Sequence, residues 1–427
     1  MKRIISLILA AVTILALAGC SQKEATSTEQ GSAAPMTTTT PDPTLTAENF
    51  TVPAPMATPV YTFEGEPTTD ELRQTAVQAM NDLLSIQWCT EIEIAYYKTG
   101  PVSKKRFEHM PMNIYAGTIY SNASTGLFQF MEFYDQETGK FSYPGPVYLM
   151  KEAVGNSCAD SLLWGYSTVC NSIQGGFFPA TMVYSNGYLP VGNYTYDRSI
   201  KTYVQYPSNE IIKANGDDKI LECYTLVQPA DALVSTTANH AMMAIAPAHV
   251  EYNDDGTLST SRSYITIQDQ RGGSGDGFYD QYENGNVIHY SGRTTYDFTF
   301  AELLEKHYIP VTTAEFTGDK AYDKATCTLD NTNFTNLSEF LETTVSSNYP
   351  LAIVRATIIT KNGTETVLVR ELFSGKEETG VPRSYAFSEM NELNIYKTAG
   401  HGFEGSTIRI EAVVSTGEEF LLAEVGI

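Results

Sequence analysis

The sequence predicts an α+β protein in two parts: a helix packed on an antiparallel sheet, then a small all-β sandwich. Three observations carry this. Behind Gly155-Asn156-Ser157-Cys158, the apolar positions Leu162, Tyr166, Val169 and Ile173 recur at helical spacing, which predicts a buried helix running to about residue 173. Further on, the apolar runs around 227–235 and 240–246 and the run Ser263–Gln270 read as strands, with Asn253-Asp254-Asp255-Gly256 as the turn before the last. Finally, Leu351–Thr360 and Thr366–Leu372 flank Lys361-Asn362-Gly363, and Thr407–Val414 and Glu419–Val425 flank Thr416-Gly417. Two such hairpins with Gly- and Pro-rich connections fit a sandwich of about 100 residues.

The N-terminus carries its own signal. Lys2 and Arg3 precede the apolar run Ile4–Leu17, too short for a comfortable membrane span, and Leu17-Ala18-Gly19-Cys20 follows. That tetrad resembles the bacterial lipobox, which implies cleavage before a lipid-modified Cys20 and an extracytoplasmic, membrane-anchored chain. An ordinary signal peptide ending near Ala18 is the alternative. Residues 21–60 are rich in Ser, Thr, Pro and Ala and cannot bury a core, so they read as a disordered tether. The expected organisation is therefore 1–20 signal peptide, 21–60 tether, 61–320 first domain and 325–427 sandwich.

Charge and cysteines narrow the function. A net charge of −23 excludes the basic face that a nucleic-acid partner requires. Six cysteines stand at 20, 89, 158, 170, 223 and 327, and setting Cys20 aside leaves five, so one thiol stays unpaired within the chain. No CxxC pair or Cys/His cluster suggests zinc, and no cofactor is expected.

In chain order, Thr68-Thr69-Asp70-Glu71 has a capping-box pattern and predicts a helix over about 69–85. Leu221–Leu226 reads as a strand, and the Gly-, Asp- and Tyr-rich stretch 271–297 as a surface excursion. Phe298–Lys306 reads as a short helix before a closing strand Tyr308–Val311, and 336–344 as another short helix. Cys89 and Cys170 read as packing residues, His249 as surface or packing, and His401, between glycines, as a turn residue. Asp160 reads as a first-turn acid complementing the helix dipole.

The chemistry gathers at Cys158. A cysteine at a helix N-terminus sits beside unpaired N–H groups that stabilise a thiolate. A nucleophile also needs a base and a group to orient it. His240 opens a later strand. With the turn centred near 255, position 240 lies opposite Gln270, and Gln268 is its diagonal neighbour. Either glutamine is a candidate third residue.

The order Cys, His, polar orienter matches the papain-like cysteine hydrolases. Gln228-Pro229-Ala230-Asp231 followed by Asn239-His240-Ala241, with Ser157-Cys158-Ala159-Asp160 at the helix start, resembles more narrowly the NlpC-type endopeptidases over about 110–316. The family pattern differs at Ser157, Ala159-Asp160 and Ala230, where it has Asp, Ser-Gly and Gly. The resemblance implies a papain-like (NlpC-type) fold, with Cys158 as nucleophile, His240 as base, Gln270 or Gln268 as orienter and Tyr120 as an oxyanion candidate. It implies an amide-cleaving enzyme whose substrate is a peptidoglycan stem peptide or other envelope peptide. The contrasting expectation is a non-catalytic surface lipoprotein that uses the same fold to bind wall glycan, peptide or a partner protein.

Overall fold

The capping box forms as read. Thr68 Oγ1 accepts the Glu71 N–H at 3.2 Å and the Glu71 carboxylate accepts the Thr68 N–H at 2.7 Å. Helix α1 then runs Thr69–Ser85 and buries Leu72, Ala76, Met80, Leu83 and Leu84 on one face. The computed structural model describes residues 50–97, 106–145, 147, 149–173, 175, 178–184, 187–197, 207–271, 278–375, 382–389, 403 and 405–427. Cys20, residues 21–49 and His401 lie outside them. No described helix is long and apolar enough to cross a membrane.

The molecule is mixed α+β with antiparallel sheets. Helix α2, Cys158–Ser167, packs on α1. Gly165 makes that approach possible, since a Cβ there would stand 3.2 Å from Met80 Cβ and 3.5 Å from the Ala76 carbonyl. Beneath lies a six-stranded sheet built from β1 (Tyr188–Pro190), β2 (Ala232–Ser235), β3 (His240–Ala244), β4 (Tyr264–Gln270), β5 (Gly292–Thr299) and β6 (Ile309–Thr313). Its order is β5-β4-β3-β2-β6-β1, with every neighbouring pair antiparallel. The middle strands β2 and β3 are almost wholly buried, as their unbroken apolar runs require.

Three local expectations are corrected. Residues 221–226 are not a strand: Asp217–Tyr224 is a helix, because Ile220, Cys223 and Tyr224 form a buried 3-4 spaced stripe. The 271–297 excursion contains paired strands, Tyr279–Glu283 with Asn286–Tyr290, followed by β5. Their turn is Asn284-Gly285 with φ of 48° and 87°, the two left-handed positions of a tight hairpin. The helix at Cys158 stops at Ser167 rather than near 173, although Val169, Cys170 and Ile173 remain buried.

The C-terminal hairpins are β7 (Leu351–Ile359) with β8 (Glu365–Leu372) and β9 (Thr407–Val414) with β10 (Glu419–Gly426), joined in one sheet of order β8-β7-β9-β10. A second, three-stranded antiparallel sheet holds Cys327–Leu329, Thr344–Ser347 and Ser384–Ala386. This part does not stand apart. One continuous cluster of buried side chains runs from Tyr61 to Ala423. Gln129 Nε2 donates to the Phe373 carbonyl at 3.0 Å, and the Gly375 N–H to the Ser124 carbonyl at 2.9 Å.

Candidate active site

Cys158 is delivered by a short strand and a cap. Gly155-Asn156 pairs in parallel with Ile119-Tyr120, so closely that a Cβ on Gly155 would lie 1.9 Å from the Ile119 carbonyl oxygen. Only glycine fits there. The next residue, Ser157, caps α2, and the Asp160 carboxylate accepts from its N–H at 3.1 Å and its hydroxyl at 2.7 Å. The Ser124 hydroxyl donates to the other Asp160 oxygen at 2.6 Å. Asp160 is thus a buried cap acid, in keeping with its reading from the sequence, and Cys158 is 5% exposed.

Asn239 brings His240 into place. Its φ of 50° is a left-handed position that asparagine tolerates, and β3 begins at the next residue. The Cys158 thiol lies near enough to the imidazole to strengthen its hold on a proton. On the other side of the ring, Nε2 bonds Asp269 Oδ2 at 2.7 Å. Arg293 grips the same carboxylate with two bonds, Nε to Oδ1 at 2.9 Å and Nη2 to Oδ2 at 2.8 Å. The guanidinium is stacked over Tyr296, 4.1 Å from its centroid, with Phe298 and Tyr279 at 5.5 and 5.7 Å.

The electrostatics follow from this chain of contacts. Burial works against a charged His240, but the negative charge available at Cys158 and the bond to Asp269 outweigh it. The ring is pushed up to about 9. Burial likewise disfavours ionised Asp269, and the Arg293 and His240 bonds overcome it, holding the carboxyl well below the usual carboxylate range. A thiol, an imidazole that favours its protonated form and a fixed carboxylate therefore stand in line. That arrangement supports nucleophilic attack with proton return.

Cys158 and His240 are brought together. Gln270 and Gln268 are not brought to the imidazole, and Asp269 between them takes the place expected of them. The reason is register. Ile267 pairs with Ala244 and Gln268 with Met243, where the ladder ends, and carrying that register on would set position 271 rather than 270 opposite His240. A slip of one residue exchanges the two faces of a strand. Asp269 becomes the diagonal neighbour that reaches the ring, whereas the Gln268 amide donates to the Val77 carbonyl at 2.9 Å and the Gln270 amide to the Thr118 carbonyl at 3.0 Å.

Gln270 belongs instead to a buried polar bridge. Thr118 accepts from Gln270 and from the Ser291 hydroxyl (3.1 Å) at its carbonyl, while its own hydroxyl donates to Asn156 Oδ1 at 2.7 Å. Asn156 Nδ2 and Gln270 Oε1, both fully buried, have no hydrogen-bond partner among the described residues. Tyr120 stands beside Asn156 in the paired strands, its ring stacked on Phe107 at 6.5 Å, and so flanks the turn that carries Cys158.

The sequence reading missed Asp269 and Arg293. The usable signal was a lone aspartate in the middle of the otherwise uncharged run Tyr264-Ile-Thr-Ile-Gln-Asp-Gln. Asp231, in the Pro-Ala-Asp turn, is structural: it pairs with Arg73 at 2.8 Å, and Ala230 beside it sits at a φ of 66°. The five described cysteines are all free thiols. Comparison with protein-family models, curated proteins and solved structures finds no match to this chain.

Proposed function

We propose that the chain is a papain-like cysteine hydrolase, held outside the cytoplasm by a lipid on Cys20, that cleaves an amide bond in an envelope peptide such as a peptidoglycan stem peptide. The observation that supports it most is the hydrogen-bonded run His240–Asp269–Arg293 with the Cys158 thiol within electrostatic reach of the imidazole. The Cys158 thiolate attacks the amide carbonyl, and the backbone N–H groups at the start of α2 take the developing oxyanion, with the Tyr120 phenol as the candidate side-chain donor. His240 passes its proton to the leaving amine as the C–N bond breaks. It then takes a proton from water, whose oxygen attacks the thioester and releases the acid and the thiolate. Asp269 keeps the ring oriented and favours its charged form.

The test is alkylation with peptide mapping, together with turnover of purified wall fragments. Cys158 is expected to label below pH 7 far faster than Cys89, Cys170, Cys223 or Cys327, and Cys158→Ala to abolish amide cleavage. Slow, uniform labelling with no cleavage would return the chain to the binding-lipoprotein reading.

A further inference from the structure

We infer that Arg271 is an anion-recognition residue at the lip of this site and that the substrate carries a carboxylate next to the scissile amide. The inference rests on Cys158 being the nucleophile. Continuing the β3–β4 register by three residues sets Arg271 directly across from His240. Its side chain is 45% exposed, whereas Asp269 is fully buried and Arg293 is 11% exposed. Arg271 Nε lies 3.7 Å from Asp269 Oδ2, but that oxygen already holds His240 and Arg293 at 2.7 and 2.8 Å. Among the described residues Arg271 hydrogen-bonds the Tyr279 hydroxyl through Nη1 at 3.3 Å, a neutral partner.

The charges around the thiol therefore do not cancel. Among the described residues Asp269 is the carboxylate that His240, Arg293 and Arg271 share, and Arg271 is the most loosely held of the three. The described acids nearest along the neighbouring hairpin are engaged elsewhere: Asp280 with His289 at 2.7 Å, and Glu283 with the Tyr290 hydroxyl at 2.6 Å. Tyr308 ties the lip to the nucleophile, since its buried phenol lies within electrostatic reach of both Arg271 and Cys158. A half-exposed guanidinium in surplus beside a buried site presents a fork for a carboxylate. On a chain of net charge −23 it is a local exception to the prevailing sign.

The experiment compares alkylation of Cys158 in the full chain by iodoacetate and by neutral iodoacetamide, at pH 7 and low salt. The iodoacetate-to-iodoacetamide rate ratio is expected to fall about fivefold in Arg271→Gln, the size of a single charge acting at this range through partly screened surroundings. Arg271→Lys should keep most of the ratio, and Arg262→Gln, whose arginine is paired with Glu251, should keep all of it. Raising the salt should shrink the difference between wild type and Arg271→Gln. An unchanged ratio in Arg271→Gln, or equal loss of both rates, overturns the inference while leaving the nucleophile intact. Failure of Cys158 to react with either reagent overturns the hydrolase reading itself.

Discussion

Asp269 and Arg293 stand opposite each other across β4 and β5 and share two hydrogen bonds, so the carboxylate reaches His240 with its orientation already set. A register shift between Ile267 and Asp269 puts Thr294 and Thr295 of β5 opposite Gln268 alone on β4, a bulge of the kind that re-aims a side chain. The consequence for activity is direct. Asp269→Asn should lower kcat about 100-fold, with KM little changed, because the amide neither holds the ring's charge nor fixes its proton. Steady-state kinetics on wall fragments checks this.

The titration of His240 gives a second expectation. The ring is raised above its ordinary value, so it stays protonated through neutral pH and loses its proton as pH rises through about 9. Cys158→Ala removes the negative neighbour, and its ring should titrate at lower pH than in the wild type, as should that of Asp269→Asn. NMR of the imidazole protons against pH reads this without any turnover. A ring that titrates at the same pH in all three proteins contradicts the account.

Thr118 links the two arms of the site. Its hydroxyl holds Asn156, two residues before the nucleophile, and its carbonyl holds Gln270, one residue after Asp269. Thr118→Val keeps the shape and removes the hydroxyl. It should lower kcat about tenfold with little change in KM, since small displacements of reacting groups are expensive in rate. Thr118→Ser should restore the rate, which a simple loss of packing would not allow.

A fourth expectation concerns stability. Arg73 on α1 donates to Asp231 and to the carbonyls of Pro229 and Phe316, all in buried surroundings. Asp231→Ala leaves that guanidinium's charge without its partner and should cost about 3–5 kcal/mol, read from the denaturant midpoint. Glu251→Ala, which breaks an exposed pair with Arg262, should leave the midpoint almost unchanged.

Much of this architecture was legible because local signals and tertiary demands agree. Thr68 and Glu71 cap α1, and Lys361-Asn362-Gly363 turns β7 into β8. The positions of Cys158 and His240 were legible because each opens an element whose apolar pattern is clear. The identity of the third group was not. It depended on whether 270 or 271 lies across from 240, and nineteen residues separate β3 from β4, with bridges at His249–Tyr264 and Tyr252–Leu258 inside the connection. A turn position estimated from sequence does not fix such a register to one residue. Arg293 was hidden for another reason: its strand follows an Asn-Gly hairpin embedded in a polar stretch with few apolar residues to mark its period.

The link from the Gly375 N–H through Ser124 to Asp160 reaches the cap of the helix that Cys158 opens. Its consequence lies in the timing of synthesis. A nascent chain that has emerged only to residue 320 contains Cys158, His240, Asp269 and Arg293, yet lacks the segment that braces Ser124. The thiol therefore gains its finished surroundings only after the last quarter of the chain has been made and folded. The C-terminal sheets thus brace the Cys158 helix as well as forming a neighbouring part of the fold.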